Sequence, residues 1–462
     1  MNKDESNVSK ERSRKPLYFF FSLILTLGLT VLVRESSFTE AQTYVLFLLL
    51  FSVALWVTDV VPAFAVGLFI IAFLAYTLGY EKFTDTPQDI KIYTNTFSSS
   101  VIWLMLGGFF LASAMTKTKL DVDLIKITLK VCGSNPKWIL LGMMAITMVG
   151  SMLISNTATT SMVVAAMMPL LRKLGKESTI SKALILGIPI AATTGGMGTL
   201  IGSPCNAVAA GALVAAGNPV DFTTWIYYGL PIMLVLTMTA WFVLVRFFIK
   251  QTEPLTLGVE TTSTTKGDLD FHRKRWTVII ILSVTLLFWL SSPLHQLSAS
   301  AVSAIPLVFL PLAGVLKGED IRAMGWDTLI LVAGGLSLGL SLQETGLLDL
   351  YATRISSLDV SPVVFFFLLA YATMIFSNIM SNTATSTVLI PLGMAILPNN
   401  QIEVAMIIGL SASTALFLPV STPPNAIAYS TGLIEQKDFR IGGLLIGLLG
   451  PAAIVLWTLL IS

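Results

Sequence analysis

"SMLISNTATTS" (151–161) and "SNIMSNTATST" (377–387) lie 226 residues apart, share six of eleven positions and differ at two more only by a Ser/Thr exchange. Each is set inside a long apolar stretch, where Ser-Asn-Thr is a poor choice for a helix face turned to lipid. It is a good choice for a helix start, because Ser, Asn and Thr side chains take up backbone N–H groups that the first turn leaves unpaired. The spacing predicts two helical hairpins, over 138–171 and 361–397, that turn at these tripeptides. The second arm of the first, Ala158–Leu171, is 14 residues. It reaches about 21 Å, short of the ~30 Å hydrocarbon core, so a hairpin that turns back inside the membrane is expected.

The rest of the chain supports a membrane setting. Of 462 residues, 55% are hydrophobic and 12% charged, with a mean hydropathy of +0.82; soluble domains run near a quarter charged. Apolar runs predict eleven full spans, at about 17–33, 42–60, 63–80, 99–116, 183–216, 226–247, 276–291, 300–316, 326–343, 403–434 and 441–460. With the N-terminus inside, 24 of the 28 Lys and Arg fall in cytoplasmic segments. That bias fits the positive-inside rule and places the C-terminus outside. No small-residue cleavage site follows the first apolar run, so span 1 is expected to stay as an anchor.

Two further landmarks repeat in the same order. Gly107–Gly108 matches Gly334–Gly335, and "GSPCNAVA" (202–209) matches "STPPNAIA" (421–428). A Gly-Gly pair alone recurs by chance in membrane helices, where small residues aid packing. The ordered set of three predicts a duplicated unit. An odd number of spans separates equivalent points, so the copies are inverted, and inverted repeats with interrupted helices are the architecture of secondary transporters.

The chemistry follows from what sits at the interruptions. Ser203 and Thr422 are placed to cap, and Pro204 and Pro423 fall at the first helical position, where a missing N–H costs nothing. Each copy then aims two helix N-termini inward, and the four together make an anion site. The same turns suit a hard cation such as Na⁺. Ser151 and Ser155, like Ser377 and Ser381, are four apart on one helix face, and the glycine-rich "TTGGMGTLIG" (193–202) can offer carbonyl oxygens. No Lys, Arg or His lies at mid-membrane, and Asp59, near the inner end of span 2, reads as structural. Helix ends and co-bound cations must therefore meet the anion's charge, which favours sodium over proton coupling. Cys132, Cys205, His272 and His295 form no metal or disulfide pattern. An intramembrane enzyme would need a polar catalytic cluster that the spans lack; a channel, or another anionic solute, stays open. Amphipathic stretches at 117–133 and 342–358 read as interfacial helices or as arms between two moving parts.

With the doubled tripeptide, the paired "[ST]P.NA" elements and the span count, about the last 420 residues resemble the divalent anion/sodium symporter family, most of all its bacterial sodium/dicarboxylate branch. The resemblance implies an all-α polytopic membrane protein, with two re-entrant hairpins in an inverted repeat, that works as an elevator-type homodimer. It divides the chain into a tail (1–16), scaffold spans (17–116 and 276–343), arm helices (117–137 and 344–360), transport halves (138–250 and 361–462) and a cytoplasmic linker (251–275). It implies a first sodium site at Ser151, Ser155, Asn156 and the backbone of Gly202. A second would use Ser377, the carbonyl of Met380, Asn382 and Ser421. Substrate carboxylates would meet Asn156, Thr157, Ser203, Ser381, Asn382, Thr383, Thr422 and Pro423. The substrates implied are C4-dicarboxylates such as succinate, malate or fumarate, with citrate or sulfate, or exchange, in other branches. The setting implied is the inner membrane, without nucleic-acid partners. Cys205 departs from the pattern, standing where the second copy has Pro424.

Overall fold

The computed structural model describes residues 3–249, 269–350 and 360–462, which contain helices and no strand. The principal helices are α1 (Lys3–Val33), α2 (Glu40–Thr58), α3 (Ala63–Leu78), α4 (Ser100–Lys117), α5 (Leu120–Cys132), α6 (Pro136–Leu153), α7 (Asn156–Leu174), α8 (Thr179–Gly195), α9 (Pro204–Ala215), α10 (Phe222–Phe248), α11 (Leu269–Leu290), α12 (Ala304–Leu312), α13 (Trp326–Glu344), α14 (Pro362–Ile379), α15 (Asn382–Ile396), α16 (Gln401–Ala412), α17 (Pro423–Ser430) and α18 (Phe439–Ile461). Helices α6–α7 and α14–α15 are the two hairpins. Helices α8–α9 and α16–α17 are the two broken spans.

Among the described residues nine helices are long and apolar enough to cross a bilayer, the first arms α6 and α14 included. The hairpin arms are longer than the sequence suggests. Arms α6 and α7 have 18 and 19 residues, roughly 27 Å each. Hydropathy stops at polar side chains, but helical hydrogen bonding runs on, from Asn156 through Arg172 and Lys173. What makes the hairpin turn back inside is its neighbour. The Asn156 side chain lies against Gly196 and Gly202, in the break between α8 and α9, so the tip is level with an interruption within a span. The span expected at 300–316 is also shorter and divided, into Ala299–Val302 and α12, with Ser303 between them.

The two copies interlock. The glycine-pair helix of the first, α4, packs on α11 and α12, and its counterpart α13 packs on α2 and α3. The glycines explain how. A Cβ on Gly107 would fall 2.6 Å from Ser303 Cβ, and one on Gly334 would fall 2.3 Å from Gly67 Cα. The second glycine of each pair faces the other way: Gly108 lies against Ile201, beside the first break, and Gly335 against Thr387 of α15. The broken spans cross as well, with α9 packed on α15 and α16, and α17 on α7 and α8.

Helix α5 is the amphipathic segment expected at 117–133. Asp123 pairs with Arg275 at the start of α11 at 2.5 Å, while Lys117 pairs with Asp320. At the other end Cys132 closes on α6, where a Cβ on Gly142 would collide with its Sγ. The counterpart arm expected at 344–360 and the linker expected at 251–275 fall largely outside the described residues. Asp59 ends α2 in the left-handed region at φ 48° and is exposed, a position that Asp tolerates.

Asp121, in the first turn of α5, is 4% exposed, and burial raises its carboxyl above the usual carboxylate range, with Asp123 adding to the shift. A group whose folded pKa is raised contributes stability below its unfolded pKa and loses it as pH rises through the folded one. Asp121→Asn keeps an acceptor for the Val122 N–H, now 2.7 Å from Oδ1, and removes the buried charge. The thermal midpoint is expected to rise by roughly 1–2 °C at pH 8 and the difference to close near pH 4. An equal effect at both pH values would refute the assignment.

Candidate functional site

Each hairpin tip is built alike. Helix α6 ends at Leu153, Ile154 is extended, and Ser155 caps α7 by accepting from the Ala158 N–H at 3.2 Å. Helix α14 ends at Ile379, Met380 is extended, and Ser381 caps α15 by accepting from the Ala384 N–H at 3.1 Å. The broken spans restart at Pro204 and Pro423, as expected. Thr422 caps α17, accepting from the Asn425 N–H at 3.3 Å. Ser203 does not cap α9; its hydroxyl lies 3.0 Å from Cys205 Sγ instead. The sulfur, present only in the first copy, diverts it.

Around these starts the residues separate by depth. Ser155, Thr157, Ser381 and Pro423 are exposed. Ser151, Gly202, Ser203, Ser377, Met380, Thr383, Ser421 and Thr422 are buried, and Asn156 and Asn382 stand between the two groups. In the first copy Ser151 donates to the Ala192 carbonyl at 2.7 Å, and its Oγ is 2.5 Å from the Asn156 side chain. In the second, Ser377 Oγ and Asn382 Oδ1 are buried without a hydrogen-bond partner. Unpaired buried oxygens are costly, about 1–3 kcal/mol each, and a cation ligated by oxygen would satisfy them. The donor set therefore fits a hard cation. The Ser421 hydroxyl joins Asn378 Oδ1 at 2.9 Å and accepts from the Leu418 N–H at 2.8 Å.

Several site residues escape the sequence reading. Asn206 Nδ2 donates to the Gly196 and Thr199 carbonyls, both at 2.7 Å. Asn425 Nδ2 donates to the carbonyls of Leu416 at 3.2 Å and Leu418 at 2.9 Å. These amides hold the two unwound breaks in shape, satisfying carbonyls that no helix pairs. The signal was present, since both follow the proline in the matched "SPCNA" and "TPPNA". Thr199 Oγ1 donates to the Met152 carbonyl, tying a break to a hairpin. Asn378 ties its own, accepting from the Phe417 N–H at 3.0 Å.

A cavity of about 600 Å³ lies elsewhere, between α13 and the ends of α9 and α15, with Leu336, Leu340, Val208 and Met394 on its walls. It contains neither Ser-Asn-Thr tripeptide and has no basic side chain in its lining. It is an apolar seam between helix groups, distinct from the polar cluster at the four helix starts.

The model of the citrate transporter family matches residues 53–406 and 301–462. The chain belongs to the citrate transporter family. Membership makes it a membrane transporter rather than an enzyme, as its residues led one to expect. Among citrate transporter relatives, a transporter of Haemophilus influenzae is 31% identical, over 90% of this chain and 91% of its own length. The sodium-dependent dicarboxylate transporter SdcS of Staphylococcus saprophyticus is 27% identical over 96% of this chain and 89% of its own. Among solved structures, the Alcanivorax borkumensis YdaH transporter aligns with a TM-score of 0.58 at 12% identity, covering 86% of this chain and 98% of its own. That likeness bears on the fold.

Proposed function

We propose that this chain is a sodium-coupled symporter that brings C4-dicarboxylates such as succinate, malate or fumarate into the cell across the inner membrane. The observation that carries this reading is the division by depth. Buried oxygens, two of them unpartnered, sit beneath an exposed rim of helix starts. Cations held below and carboxylates held above would neutralise each other where no Lys or Arg is at hand. The naming of relatives as sodium-dependent dicarboxylate transporters supports the choice of ion and solute.

Two sodium ions bind, one per copy, at the residues assigned above. Ser203, Thr157, Ser381, Thr383, Thr422 and Pro423 join the two asparagines at the dicarboxylate. The hairpins and broken spans move as one elevator against the scaffold spans in a homodimer, with the N-terminus cytoplasmic and the C-terminus outside. The seam beside α13, at the boundary between those parts, is consistent with such movement. Citrate is the second reading, favoured by the family's description.

The test is a thermal-shift panel of succinate, malate, fumarate, citrate and sulfate in Na⁺, K⁺ or choline, followed by uptake into proteoliposomes. Stabilisation by a C4-dicarboxylate only in Na⁺, with uptake driven by an inward Na⁺ gradient, is expected. Equal stabilisation in choline would refute the coupling, and preference for citrate would establish the second reading. Flux that does not saturate would indicate a channel.

A further inference from the structure

Helices α9, α13 and α15 pack against one another pairwise, yet they leave a gap. Helix α9 meets α13 where a Cβ on Gly211 would fall 2.6 Å from Leu336 Cδ2, and α15 meets α13 where one on Gly339 would fall 3.1 Å from Pro391 Cγ. Ala212 and Ala215 of α9, in the same lining, fill little of the space beside these contacts. What is left is the cavity of about 600 Å³ described above, a size that takes a drug-sized molecule.

Its body is apolar, and its rim is polar and of one sign. All three helices end there: Ala215 closes α9, Gln343 lies in the last turn of α13 and Ile396 closes α15, and each belongs to the lining. The C-terminal end of a helix carries a partial negative charge, and no basic residue stands in the last turn of any of the three. At the end of α15, Pro398 stands where the Met394 carbonyl would otherwise find its helical donor. Asp349 adds a carboxylate to the lining. Two helix starts also reach the cavity, and both are answered. Ser99 caps α4, accepting from the Ile102 N–H at 3.4 Å, and Glu403 lies in the first turn of α16.

We propose that this cavity is a binding site for a lipophilic cation, an amine or quaternary ammonium carried on an apolar body of about two rings. The body lies among Val208, Leu336, Leu340 and Met394, out of water. The positive head rests at the rim, against the three helix ends and Asp349. A carboxylate on the same body would meet that field with the wrong sign, so the site selects against the anions that the polar cluster is proposed to hold. The bound cation touches α9 and α15 on one side and α13 on the other, and holds them at their present spacing. The site goes beyond the transport reading and does not depend on it.

The test uses the full chain in phosphatidylcholine nanodiscs at neutral pH, with diphenylbutylamine, diphenylbutanol and diphenylbutanoate, which share one body and differ in the charge of the head. Thermal midpoints are measured against the concentration of each. The amine is expected to stabilise at a concentration at least about tenfold below the alcohol, and the carboxylate to give no shift. Ala212→Phe, which fills the space, should lose the amine's shift. Gln343→Lys should weaken the amine about tenfold and keep the ligand-free midpoint, because a cation at a helix C-terminus is itself favourable. A carboxylate or an alcohol as effective as the amine would overturn the cationic assignment. An amine shift retained in Ala212→Phe would mean partition into lipid and overturn the site. Should Ala212→Phe fail to fold, Ala215→Phe, at an exposed position of the rim, decides by the same two outcomes.

Discussion

Asn382→Ala is expected to reduce sodium-dependent succinate uptake by about 100-fold or more, since on the proposed reading it removes an ion ligand and a carboxylate partner worth roughly 2–3 kcal/mol together. The folded protein should survive the change. Asn382 Oδ1 is buried with no partner, and deleting an unsatisfied group costs little or nothing. Its thermal midpoint in choline should therefore match the unaltered protein, while the sodium shift disappears. Asn156→Ala should abolish uptake to the same degree but lower the choline midpoint, because that side chain sits within a bonded cluster. Sodium-dependent uptake retained by both variants would remove the asparagines from the site.

Gly196→Ala carries the second large effect. A Cβ there would lie 2.6 Å from Asn156 Oδ1 and 2.9 Å from the Gly202 carbonyl oxygen. The second neighbour is backbone, and a Cβ on Gly202 would itself fall 2.6 Å from the Gly196 carbonyl oxygen, so the break cannot yield to one side without pressing on the other. We expect destabilisation of about 1–3 kcal/mol and loss of sodium-induced stabilisation. Gly198→Ala is the control. Its Cβ would meet Met233 Sδ at 2.7 Å and Met152 at 3.2 Å, and flexible thioethers can move aside. Equal loss of the sodium response in the two variants would show that the break tolerates no change anywhere, and would separate the effect from the ion site.

The hairpins and breaks were legible because Ser, Asn, Thr and Pro in an apolar setting have few purposes, and here the pattern occurs twice. The caps at Ser155, Ser381 and Thr422 follow from residue type alone. Ser203 misled because its neighbour is Cys205, and side-chain competition over 3.0 Å leaves no trace in a cap motif. The bracing by Asn206 and Asn425 was hidden because their partners are carbonyls of unwound backbone. The link from Ser421 to Asn378 was hidden because it joins side chains 43 residues apart. The division at Ser303 escaped because hydropathy averages over a lone serine. That α4 packs on α11 and α12 is a tertiary fact: two copies of one pattern can lie side by side or interlock with equal local sequence.

The adjacent glycines have a genetic consequence. Gly107 and Gly334 touch Ser303 and Gly67, Gly108 and Gly335 touch the first break and the second hairpin, so neighbouring codons should give different lesions and different suppressors. Gly107→Ala should be rescued by Ser303→Gly, which clears the offending Cβ. Gly335→Ala should be rescued by Thr387→Ala, which removes both the Oγ1 and Cγ2 atoms in its way. Gly334→Ala meets the backbone of Gly67, a residue that can be made no smaller, and reversion to glycine is the one remedy that pairing leaves open.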